Sequence, residues 1–135
     1  MNDEELINPR AREFAGLIKN IMEPLTQNQK FLAKFKDRNR KFLINASNLN
    51  YAALLTIDDG FIKVESVSNK FKANLKRKAL GWDGFISMDS QTFIALAMDK
   101  ISIVSVLFKW IMGKVKLKGI LNLITLLKIF NLLKS

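Results

Sequence analysis

The chain contains neither cysteine nor histidine. Their absence removes disulfides, thiolate nucleophiles, imidazole bases and the usual ligand sets of zinc and haem, and it agrees with a reducing compartment. Proline occurs twice and glycine six times in 135 residues, too sparsely for a collagen-like or low-complexity chain. Disorder is excluded from the other side, because 49% of the residues are apolar. Acidic residues are outnumbered, 12 against 22 lysines and arginines, leaving a formal charge of +10. Long hydrophobic runs are also missing. Residues 120–133 are interrupted by Asn122, Lys128 and Asn131 and fall short of the ~20 apolar residues a membrane span needs. The acidic start Met1-Asn2-Asp3-Glu4-Glu5 has neither the basic region nor the apolar stretch of a secretory signal. A cytoplasmic protein is expected, in which the sequon Asn45-Ala46-Ser47 goes unused.

What is present reads as a single domain over residues 1–135, since domains run to roughly 100–200 residues. Asn8 and Pro9 form a helix start, followed at helical spacing by Phe14, Leu17, Ile18, Ile21 and Met22 and stopped before Pro24. A second amphipathic helix from Thr26 carries Phe31, Leu32 and Phe35. From Lys41 the period shortens to that of strands, in Phe42-Leu43-Ile44 and in residues 51–57 and 61–67. Asp58-Asp59-Gly60 between the last two is a hairpin turn, and its paired carboxylates are turn chemistry, not an acid–base pair. Phe71, Ala73, Leu75 and Arg77 alternate with Lys72, Asn74, Lys76 and Lys78, which predicts a strand with one apolar and one basic face, a helix being the alternative.

Residues 85–88 form another short strand, and Asp89 or Ser90 caps a helix carrying Phe93, Ile94, Leu96, Ala97 and Met98. Residues 103–112 continue in helical turns as far as Gly113. Lys114-Val115-Lys116-Leu117-Lys118 alternates without exception, a strand closed by Gly119. In the last segment polar residues recur every third position, at 122, 125, 128, 131 and 134. At about 100° per residue they spiral around the helix instead of marking one wet face. That helix is apolar nearly all round and must be covered by protein, partner or lipid. The order of elements is that of the α+β class.

Without histidine, nucleophilic catalysis would need a Lys or a carboxylate placed by the fold as its base, and neither a Ser-x-x-Lys motif nor a nucleophile elbow nor a phosphate-binding glycine loop occurs. A non-enzymatic role without cofactor or metal is expected. Lys72, Lys76, Arg77 and Lys78, with Lys114, Lys116 and Lys118, could neutralise phosphates, attract an anionic membrane surface or simply solvate a face. Nucleic acid is the weakest of these partners: Tyr51 is the only tyrosine, and helix-turn-helix and zinc-finger patterns are not evident.

Read as a unit, residues 85–93, then Leu96-Ala97-Met98-Asp99-Lys100, then Met112-Gly113-Lys114-Val115-Lys116-Leu117-Lys118-Gly119 resemble the sterol carrier protein 2 (SCP2) family. There a strand with a polar cap leads into a helix, a lysine-alternating strand between glycines and a terminal helix. The resemblance covers about 50 residues. It implies a five-stranded, mostly antiparallel sheet covered by helices, with an apolar tunnel between sheet and helices for a fatty acid, acyl-CoA, sterol, isoprenoid or phospholipid. The residues assigned to that tunnel are Phe93, Leu96, Ala97, Val106, Trp110, Ile111, Leu117, Ile124 and Leu127. Lys114, Lys116 and Lys118 would meet membrane or anion. The rival reading is a protein-interaction module whose terminal helix buries its surplus apolar surface in a homodimer or a partner.

Overall fold

Proline at the first position of a helix has its φ already set and gives up no hydrogen bond there, and helix α1 (Pro9–Met22) opens on Pro9. The computed structural model describes residues 9–97, 112–113 and 115–133. The second helix departs from the sequence reading: Pro24 lies inside a 3-10 turn (Glu23–Gln27), and helix α2 (Gln29–Lys34) starts only after Asn28. The Asn28 side chain accepts from the Phe31 N–H at 2.9 Å, a stronger start than Thr26 could offer. On α2, burial first and then Lys128 and Arg38 hold the Lys34 pKa below the ordinary lysine value.

Strands β1 (Asn39–Ala46), β2 (Tyr51–Asp58), β3 (Phe61–Ser68), β4 (Gly84–Met88) and β5 (Lys116–Lys118) form one sheet in the order β3-β2-β1-β4-β5. β1 and β4 run parallel and the other pairs antiparallel, so the fold is α+β with a mixed, mostly antiparallel sheet. The β2–β3 turn places both Asp59 (φ 50°) and Gly60 (φ 83°) in the left-handed region, the primed turn that matches strand twist.

Successive side chains on a strand point to opposite faces, and here the two faces differ in their cover. One carries Phe42, Ile44, Leu55, Ile57, Ile86 and Met88, packed against Phe14, Ile18, Met22, Phe31 and Phe35 and against the helices that follow β4 and β5. These helices are α4 (Ser90–Ala97) and α5 (Ile120–Leu132). The other face carries Leu43, Ala52, Leu54 and Phe85, roofed by Trp82 with Leu75 and Leu80. That roof corrects the basic strand expected from residue 71 onward. It is a 3-10 turn (Lys72–Leu75) followed by the short helix α3 (Arg77–Leu80). Alternation there has another cause: Phe71 is 64% exposed, while Leu75 and Trp82 drop onto the sheet instead of joining its edge.

Asp89 caps α4 as expected. Its Oδ1 accepts from the Thr92 N–H and its Oδ2 from the Thr92 hydroxyl, both at 2.7 Å. Asp89→Ala is expected to cost about 1 kcal/mol, read as a lower thermal midpoint without a change in the folded spectrum.

Candidate functional site

Of the tunnel residues assigned from the sequence, Val106, Trp110 and Ile111 lie outside the described residues, as does Lys114 among the membrane-contact lysines. Ala97 ends α4. Phe93 and Leu96 are buried in the helix-side core, and Leu117 and Leu127 pack half-buried against it. Phe93 packs edge-on to Phe14 and to Phe130, with ring centroids 6.0 and 5.6 Å away. Ile124 faces outward, 44% exposed. The structure thus brings Phe93, Leu96, Leu117 and Leu127 to one side of the sheet and turns Ile124 away from them.

The terminal helix α5 is two-sided. Leu123, Leu126, Ile129 and Phe130 enter the core, whereas Ile120 (48% exposed), Leu121 (82%) and Ile124 stand open. Its polar spiral is resolved in part by Asn122, whose side-chain amide donates to the Asp83 carbonyl at 3.1 Å. Where β5 turns into α5 there is a hollow of about 390 Å³, bounded by Leu117, Ile120 and Leu121, with Gly119, Asn122 and Lys118 at its edge. Gly119 makes this corner. Its φ is +70°, and a Cβ there would run into the Asp83 carbonyl oxygen.

A second hollow of about 460 Å³ lies on the other face of the sheet. Trp82 and Phe85, with ring centroids 5.5 Å apart, form its apolar wall together with Leu75. The Trp82 indole N–H is held by the Leu75 carbonyl at 2.8 Å. Lys72, Lys76, Arg77, Lys116 and Lys118 surround the opening, and among the described residues no acidic side chain lines it. Arg77 sits 5.9 Å from the Trp82 ring centroid and Lys118 5.8 Å from that of Phe85, distances at which a ring attracts a cation. The polar end is Asn45 and Ser87, joined by a 3.0 Å hydrogen bond from the Asn45 amide to the Ser87 hydroxyl. The Asn69 amide fixes Asn45 in turn, donating to its Oδ1 at 2.8 Å.

Sequence reasoning recognised the lysines and missed Trp82, although a tryptophan inside a basic segment was a visible signal. Among the described residues there is no cluster of carboxylates that could hold a metal ion, and no helix is long and apolar enough to cross a membrane.

Neither a protein-family model nor a curated protein matches the chain. Solved structures do. The ubiquinone synthesis protein UbiJ-SCP2 superposes over 99% of this chain and 96% of its own, with a TM-score of 0.58 and 8% identity. The stereoselective inverting sec-alkylsulfatase Pisa1 from Pseudomonas sp. matches 77% of this chain with a TM-score of 0.54 and 19% identity. That match spans 14% of the sulfatase chain. Identities this low bear on architecture alone, and the architecture is an SCP2-like fold.

Proposed function

We propose that the chain binds, and can transfer, a lipid with a long apolar portion, such as a fatty acid, acyl-CoA, sterol or isoprenoid, and does no chemistry on it. The observation that carries this reading is α5, which fills the core with one side and leaves Ile120 and Leu121 open at the hollow at its start, with Ile124 exposed one turn further on. Large apolar side chains grouped at a concavity mark a site for an apolar ligand or partner. The SCP2-like fold favours the lipid, and the neighbour named for synthesis of ubiquinone, a molecule with an isoprenoid tail, favours the isoprenoid among lipids. A non-catalytic role is supported by a sequence with no imidazole and no thiol. Lys116 and Lys118, exposed on the neighbouring strand, would assist approach to an anionic membrane. A cytoplasmic setting suits both.

The test is native mass spectrometry of the purified protein, with organic extraction of whatever co-purifies. A stoichiometric lipid in the wild type, reduced severalfold in Leu121→Asp, is the expected result. Leu121 is 82% exposed, so the variant should fold with a stability change within about 0.5 kcal/mol. The rival is a homodimer or partner interface on the same side chains. A lipid-free dimer that Leu121→Asp converts to monomer would replace the lipid reading with that one.

A further inference from the structure

The groove over Trp82 and Phe85 opens on the sheet face away from α1, α4 and α5, so what it holds is a separate question from the lipid reading. Five cations approach it from two distant stretches of chain: Lys72, Lys76 and Arg77 from the roof, Lys116 and Lys118 from β5. Like charges gathered around one concavity repel one another, and an anion placed among them turns that repulsion into attraction. Among the described residues no carboxylate lining the groove competes for the place.

We propose that this groove is a binding site for a small soluble organic phosphate, an anion of two or more charges carried on a compact apolar or aromatic body. The number of cations favours phosphate over a carboxylate, because one carboxylate answers one of the five, whereas a phosphomonoester brings about two charges and three acceptor oxygens. The apolar body follows from the wall: Trp82, Phe85 and Leu75 offer a surface that inorganic phosphate alone would leave uncovered. Size sets the upper limit. About 460 Å³ lies within the range of small-molecule pockets and is too little for a helix or a folded partner.

The probe is naphthyl phosphate, followed through the indole N–H resonance of Trp82, which is hydrogen-bonded to Leu75 at the wall of the groove. A Trp82→Phe control separates that signal from the one of Trp110. Saturable movement of the Trp82 resonance is expected, with weaker binding as salt rises. Naphthol and inorganic phosphate should each bind at least about tenfold more weakly, since each lacks one half of the recognition. The double variant Lys116→Glu, Lys118→Glu should weaken binding by about tenfold or more, as should Lys76→Glu on the roof, which leaves β5 untouched. An unmoved Trp82 resonance would overturn the proposal. So would unchanged affinity in a folded Lys76→Glu protein, or attraction to phosphatidylglycerol vesicles without any response to naphthyl phosphate. Because the readout is Trp82 and not a co-purified lipid, failure here leaves the Leu121 experiment standing, and the reverse holds.

Discussion

Gly119→Ala is expected to lower stability by about 2 to 5 kcal/mol, the sum of a left-handed conformation imposed on a residue with a Cβ and a collision with backbone. The φ of Gly119 is +70°, and its missing Cβ leaves room for the Asp83 carbonyl oxygen and for the Gly84 Cα, which an added methyl would approach to 3.2 Å. Neither neighbour can swing aside as a side chain could. Asp83 is itself fixed, exchanging hydrogen bonds with the Lys41 backbone at 2.7 and 2.8 Å. The damage would spread into α5, because the Gly119 carbonyl accepts the Asn122 and Leu123 N–H groups at 3.0 Å and the Asn122 side chain holds the same Asp83 carbonyl. Gly81 supplies the control. Its φ is +68°, and a methyl added there would meet nothing within 4 Å, so Gly81→Ala carries only the conformational penalty of about 1 to 2 kcal/mol. Urea unfolding of the two variants separates the terms. Equal midpoints would show that the Asp83 contact relaxes, and would remove the argument that this glycine fixes where α5 begins.

The same corner shows how far a linear reading reaches. Gly119 was legible as the end of an alternating strand, and Asp58-Asp59-Gly60 as a turn, because both are local: the chemistry and the geometry lie within a few residues. The alternation from Phe71 onward is equally regular and points first to a strand, whereas the segment folds as the helical alternative. Period two reports which side chains are apolar, not whether a neighbouring strand exists to pair with. Here Leu75 and Trp82 serve a different need, covering Leu43, Leu54 and Phe85 on the sheet face that the longer helices leave free.

The basic groove was least legible for a topological reason. Its lysines were visible as two clusters about 40 positions apart, but what joins them is the strand order. The parallel β1–β4 pair sets Asn45 beside Ser87, and the β4–β5 pair sets Ser87 beside Lys116 and Phe85 beside Lys118. Only with that register do Lys116 and Lys118 share a face with Trp82. The resemblance to the SCP2 family, with which the apolar terminal helix agrees, implies a cavity between sheet and helices. A hollow walled by Trp82 on the opposite face has no signature of that kind, since its wall comes from a segment whose lysines fit phosphate, membrane and plain solvation alike.

Phe93→Ala is expected to cost about 3 to 5 kcal/mol, the usual range for a phenylalanine deleted from a packed core. Phe93 is fully buried, and its ring is edge-on to Phe14 of α1 and Phe130 of α5, so the deletion loosens three helices at once. Against a domain stability of about 5 to 15 kcal/mol this is a large fraction, and the denaturation midpoint should fall sharply with little change in slope. Phe61→Ala, at a position 77% exposed, should move it hardly at all. The comparison matters for function because Phe93 is at once a core residue and one assigned to the lipid tunnel. Phe93→Leu keeps most of the volume and should cost less than about 1.5 kcal/mol, leaving a folded protein in which lipid retention can be measured. Retention that falls in Phe93→Leu as far as in Leu121→Asp places the apolar chain of the ligand against Phe93, inside the sheet–helix layer. Retention lost only in Leu121→Asp keeps the chain at the open end of α5, and Phe93 then does no more than tie α1, α4 and α5 together.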